Sequence, residues 1–138
     1  MGLFTFGIKD IGIDLGTTNI LITLKGKGIV LREPAVVAID RRTGKIVATG
    51  QEAKEMYGRT PETIKAVKPL RDGVIADFTA TKLMIKNMLK KVCSRYNVSS
   101  PRVVVSVPSG ITEVEERAVE ETILHAGAKE AYLIEEPL

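Results

Sequence analysis

Apolar and polar positions alternate over residues 11–15 and again over 20–24, with Gly16-Thr17-Thr18-Asn19 between them. Period-two alternation predicts half-buried strands. The glycine-led break predicts that they pair antiparallel through a tight turn, with Gly16 free to take a positive φ. Gly26 and Gly28 mark a second turn, after which residues 29–31 return as a third strand. Apolar stretches at 36–39 and 46–48, separated by Arg41-Arg42-Thr43-Gly44, predict another hairpin. A short helix over 52–57 follows, stopped by Gly58. Asp77 is placed to cap a long helix over 78–96, whose apolar stripe is Ala80, Met84, Met88, Val92 and Tyr96. The valine-rich run 102–107 predicts a strand buried on both faces. Thr112 with Glu115 fits a capping box, opening a helix that Gly127 closes, and residues 132–134 read as another buried strand. Strand, helix and strand at this spacing form a βαβ unit, expected to be parallel and right-handed.

The small, polar-flanked elements between about residues 33 and 72 differ from the long helices and buried strands of 1–32 and 73–138. They read as an insertion into a larger α/β layer. At the other end, proline is favourable in a first helical turn. Glu135-Glu136-Pro137-Leu138 therefore reads as a helix start without its helix, and the chain as truncated.

With 138 residues, 44% of them hydrophobic, the chain is long enough for one domain with a substantial core. Its net charge of +3 is mild and its lysines and arginines are dispersed, so nucleic acid is not an expected partner. Cys93 and His125 are the only residues of their types, which leaves neither an internal disulfide nor a cysteine/histidine metal cluster. No apolar run approaches the roughly 20 residues needed to span a bilayer.

The sharpest local chemistry lies in Asp14-Leu15-Gly16-Thr17-Thr18-Asn19. A carboxylate at the end of the first strand can hold waters on Mg²⁺, an ion that keeps most of its hydration shell. Backbone N–H groups of Gly16, Thr17 and Thr18, with the hydroxyls and the Asn19 amide, make a nest of donors for phosphate oxygens. No Gly-Lys-Ser/Thr follows, so this is not a Walker A loop. Read alone, the segment is equally a plain hairpin turn beside an aspartate.

Further motifs carry a resemblance. Asp14-Leu15-Gly16-Thr17-Thr18-Asn19 is similar to the first phosphate hairpin of the actin/Hsp70/sugar-kinase superfamily. Pro69-Leu70-Arg71-Asp72-Gly73-Val74-Ile75-Ala76-Asp77 resembles the segment by which actins re-enter their first large subdomain. Val107-Pro108-Ser109-Gly110-Ile111-Thr112, Leu133-Ile134-Glu135-Glu136-Pro137-Leu138, Gly26-Lys27-Gly28-Ile29-Val30 and Glu33-Pro34-Ala35-Val36-Val37-Ala38-Ile39-Asp40 resemble the MreB-type bacterial actins in particular. The likeness runs from about Lys9 to the last residue.

That resemblance implies an α/β, actin-like (ribonuclease H-like) domain I: a mixed sheet with flanking helices and a small inserted subdomain, truncated before domain II. Residues 1–32 and 73–138 would form subdomain IA, and 33–72 subdomain IB. It implies ATP and Mg²⁺ as cofactors. Gly16, Thr17, Thr18 and Asn19 would bind phosphate, Asp14 would reach the metal through water, and Glu136 would be the catalytic, water-positioning residue. Threonine at position 18 departs from the alanine common in MreB proteins. The implied role is that of a membrane-associated, filament-forming ATPase that organises cell-wall elongation and maintains rod shape. Its partners would be further protomers of itself, the elongation machinery and the inner face of the cytoplasmic membrane. Leu3, Phe4 and Phe6 are the candidate membrane contacts, with a strand extension or a loose tip as the other reading of that segment. Two alternatives stand beside this: an Hsp70-like chaperone of the same superfamily, and a non-enzymatic fragment that keeps only contact surfaces.

Overall fold

A computed structural model of the chain describes residues 10–16, 18–59, 61–71 and 74–136. Strands β1 (Asp10–Leu15) and β2 (Asn19–Leu24) pair antiparallel, Ile13 opposite Ile22, and β3 (Gly28–Pro34) extends the sheet beyond β2. Gly26 and Gly28 turn between β2 and β3 at φ of 86° and 81°, a conformation costly for any residue with a Cβ. After the small inserted elements come α2 (Phe78–Arg95), β9 (Arg102–Val107), α3 (Glu113–His125) and β10 (Glu130–Glu135). β9 lies parallel to β1, and β10 parallel to β9. The five-stranded order is β10-β9-β1-β2-β3, mixed as expected.

Both long helices start where the sequence places a cap. The Asp77 carboxylate accepts from the Ala80 N–H at 2.9 Å. Thr112 and Glu115 exchange side-chain-to-backbone bonds at 3.1 and 3.0 Å.

One face of the large sheet is the core. Ile11, Ile13, Leu15, Ile20, Ile22, Leu24, Val103, Val105 and Val107 are buried there. They join one cluster with Ala80, Met84, Ile85, Met88, Leu89 and Val92 of α2 and with Val119 and Ile123 of α3. The two helices therefore cover the same face. Here the expectation of strands buried on both sides fails. β9 alternates instead, with Val104 38% exposed, while Tyr132 and Ile134 of β10 are 54% and 57% exposed. A valine-rich run satisfies a strand with one covered face as readily as two, because β-branched side chains suit the pleat wherever they point.

Between β3 and α2 stand β4 (Val37–Asp40), β5 (Ile46–Thr49), α1 (Gly50–Met56), β6 (Ile64–Val67) and the short pair β7 (Leu70–Arg71) and β8 (Val74–Ile75). β5, β4 and β6 form their own sheet, with a small cluster of Val36, Ala38, Ala48 and Ala53. Val37 turns the other way, into the main core. Two further links tie this layer down: Thr49 Oγ1 donates to Asn87 Oδ1 at 3.1 Å, and Gln51 N–H donates to Glu33. The short helix starts two residues before the expected position and ends at Met56, with Gly58 beyond it at φ 78°. Glu33 and Pro34 belong to β3 of the large sheet.

Candidate functional site

Residues of β1, β9 and β10 with the opposite parity to the core positions face the uncovered side of the sheet. At the carboxyl ends of these three parallel neighbours they are polar. Asp14 and Ser106 are paired across β1 and β9. Ser106 is paired with Ile134 across β9 and β10, and Glu136 lies two residues on, at the same parity. Glu136 is fixed at two points. Its N–H donates to the Val107 carbonyl at 2.9 Å, and its Oε1 accepts from Ser106 Oγ at 2.9 Å. Alternation thus brings together Asp14 and Glu136, which are more than a hundred residues apart in the chain.

Asp14 Oδ1 is buried with no hydrogen-bond partner. Leaving a buried carboxylate oxygen unpaired costs free energy, so the atom is suited to an exogenous donor or cation. Hydrogen-bond sharing with Glu136, then burial, then the Glu136 charge all hold the Asp14 carboxyl above its ordinary value. Two ionised carboxylates cannot donate to each other. The shared bond therefore exists only while one proton is retained, and burial and like charge favour that same form. A cation would offset the repulsion directly. Among the described residues no group of three or more His, Cys, Asp or Glu side chains could cage a metal. One carboxylate with an orphaned oxygen fits an ion such as Mg²⁺, which takes few protein ligands and keeps its waters.

The turn departs from expectation in two ways. Gly16 does not adopt a positive φ. It is required for closeness: a Cβ there would stand 2.6 Å from the Asn19 carbonyl oxygen. Moreover, the Gly16 N–H, expected among the phosphate donors, donates to that same carbonyl at 3.1 Å and closes the turn. Thr18 and Asn19 are exposed at the tip, the Thr18 carbonyl being held by the Ala35 N–H at 2.9 Å. Thr17 lies outside the described residues, as do Leu3, Phe4 and Phe6.

Beside the turn is a pocket of about 380 Å³, lined by Thr18 and Asn19, by apolar Ala35 and Leu70, and by Lys54, Lys68 and Arg71. Sequence reasoning missed these three cations, which arrive from separate elements with no shared spacing. It also missed Ser106, whose signal was visible: one hydroxyl interrupting four valines and an arginine, next to the strand's end. The open end of the sheet thus runs from an acidic pair at β1 and β10, past the turn, to a basic pocket at β3.

Comparison with known proteins agrees with this architecture. The family model described as MreB/Mbl protein matches residues 8–138. The cell shape-determining protein Mbl of Bacillus cereus is 54% identical over 129 residues, which cover 94% of this chain and 39% of that protein. The cell shape-determining protein MreB of Pasteurella multocida is 53% identical over 142 aligned positions, covering 99% of this chain and 40% of that protein. The crystal structure of MreB5 of Spiroplasma citri bound to ADP superposes with a TM-score of 0.75 at 36% identity, covering 93% of this chain and 38% of that one. A non-polymerising MamK mutant bound to AMPPNP gives a TM-score of 0.71 at 19% identity, covering 94% and 41%, a likeness of fold alone. The chain spans about two fifths of the length of the curated relatives it matches.

Proposed function

The chain belongs to the MreB/Mbl family, and on that premise we propose that it is the amino-terminal part of an actin-like ATPase that forms filaments on the membrane, organises cell-wall elongation and maintains rod shape. Its curated relatives are cell shape-determining proteins. The observation that supports the reading best is the gathering of Asp14, Ser106 and Glu136 at the carboxyl ends of β1, β9 and β10, on the face that α2 and α3 do not cover. Ligands of open α/β sheets bind beyond those strand ends. Related proteins solved with ADP and AMPPNP make an adenine nucleotide the natural ligand to test.

In this reading Thr17, Thr18 and Asn19 hold the phosphate tail, and Asp14 orients water around a metal. Mg²⁺, when bound, would neutralise phosphate charge. Glu136 orients the attacking water as general base, a role that needs its carboxylate held in one place. The backbone bond to Val107 and the hydroxyl of Ser106 supply that restraint. Residues 18–19 and the cations at 54, 68 and 71 favour the anionic end of the ligand electrostatically. In this reading the 138 residues supply one side of a cleft that the rest of the protein closes.

For the membrane, no helix among the described residues is long and apolar enough to cross a bilayer. Shallow insertion of Leu3, Phe4 and Phe6 is the proposed contact. Burial of three such side chains contributes about 1.5–3 kcal/mol each before ordering costs. Sedimentation of the full-length protein tests both parts of the proposal. It should pellet with Mg-ATP alone as filaments, and deleting residues 1–7 should weaken pelleting with anionic liposomes while leaving filament pelleting intact. Failure to pellet with Mg-ATP at any protein concentration would remove filament formation from the proposal. Equal liposome pelleting by both proteins would move the membrane contact elsewhere.

A further inference from the structure

We propose that Ser106 is a positioning residue for hydrolysis, holding the Glu136 carboxylate in the orientation in which its second oxygen can direct the attacking water. The inference rests on the reading of Glu136 given above. Glu136 follows the last residue of β10, where no further strand pairing restrains its side chain. Its backbone is pinned by the Val107 carbonyl, which leaves the side-chain torsions to be set by contacts. Ser106 Oγ donates to Oε1 at 2.9 Å, a charge-assisted bond when Glu136 is ionised.

The geometry assigns the job to Ser106 rather than to a neighbour. Val103, Val105 and Val107 point into the core, and Val104 lies a full pleat away from the strand end. On the other side of Ser106 stands Asp14, which as an acceptor would repel an ionised Glu136 and offers it no anchor. A hydroxyl between two carboxylates has one proton to give, and here it goes to Glu136. Donating to Oε1 leaves Oε2 outside this bond. A general base displaced by about 1 Å loses on the order of 10²-fold in rate, so loss of this anchor should cost roughly 10- to 100-fold.

The test is single-turnover and steady-state phosphate release by the full-length protein carrying Ser106→Ala, Ser106→Thr, Glu136→Ala, or Ser106→Ala with Glu136→Ala. Melting temperatures are taken alongside. Ser106→Ala should lower kcat roughly 10- to 100-fold with KM and nucleotide affinity unchanged. Ser106→Thr, which keeps the hydroxyl, should recover most of the rate. In the Glu136→Ala background the serine should no longer matter. A full-rate Ser106→Ala beside a slowed Glu136→Ala overturns the role of Ser106 and leaves that of Glu136 standing. An equal loss in both backgrounds would mark Ser106 as structural only. An unslowed Glu136→Ala would overturn the reading of the site itself, and the serine's part with it.

Discussion

Replacing Glu136 by alanine in the full-length protein should cut ATP hydrolysis by roughly 10²–10⁴-fold while leaving ATP affinity nearly unchanged. The side chain is placed to act on water rather than to hold the fold. It lies just past β10, outside the buried core, where its side chain accepts from Ser106 beside Asp14. The Val107 bond uses only its backbone N–H and survives the change. Removing the carboxylate also removes the group that contributes most to holding Asp14 above its ordinary value, so Asp14 would ionise more readily. Phosphate release measured beside nucleotide affinity separates the outcomes. Unchanged hydrolysis would take Glu136 out of the mechanism.

Asp14→Asn should move stability and ligand binding in opposite directions. In the folded chain the Asp14 carboxyl is held above its unfolded value, so its protonated form is the one the fold prefers. The sign follows from linkage. The stability this group contributes is fully present below the unfolded carboxylate range and is lost as pH rises through the raised folded value. Above that folded value the ionised side chain is therefore a cost. An asparagine carries no charge and can donate its amide to Glu136, gaining about 1 kcal/mol for the fold. That advantage should shrink as pH falls towards the carboxylate range, which thermal unfolding across pH will show. For Mg-ATP the same change removes a water-orienting carboxylate, and outer-shell losses of that kind cost roughly 10–100-fold in affinity. An Asp14→Asn protein that is less stable at neutral pH, or that binds Mg-ATP as tightly as the parent, would contradict the assignment.

Much of this architecture is legible from periodicity. The alternation over 11–15 and 20–24, the stripe from Ala80 to Val92 and the caps at Asp77 and Thr112 each correspond to an observed element. These are local signals, fixed within a turn or two of chain. What escaped depends on contacts between distant segments. Whether Val104 and Ile134 are covered is decided by which face the helices choose, and their own strands do not encode that choice. Gly16 illustrates the same limit. Glycine at a turn suggests a positive φ, yet the reason for it here is the Asn19 carbonyl three residues on. Asp14, Thr18 and Asn19 are candidates from the sequence alone because one short stretch holds them. Lys54, Lys68 and Arg71 line one pocket only when α1, the residue after β6, and β7 come together beside it.

In the proposed reading these residues form one wall of a Mg-ATP site that needs the rest of the protein to close it. Enclosure normally buries most of a small ligand, and here the sheet end is open. Calorimetric titration with Mg-ATP, run on the full-length protein and on the 138-residue chain with light scattering alongside, tests this most directly. The account predicts micromolar binding by the first and little or no heat from the second. The 138-residue chain should also tend to self-associate through the face bearing Val104, Tyr132 and Ile134. Micromolar binding by a monodisperse 138-residue monomer, or no binding by the full-length protein, would contradict it.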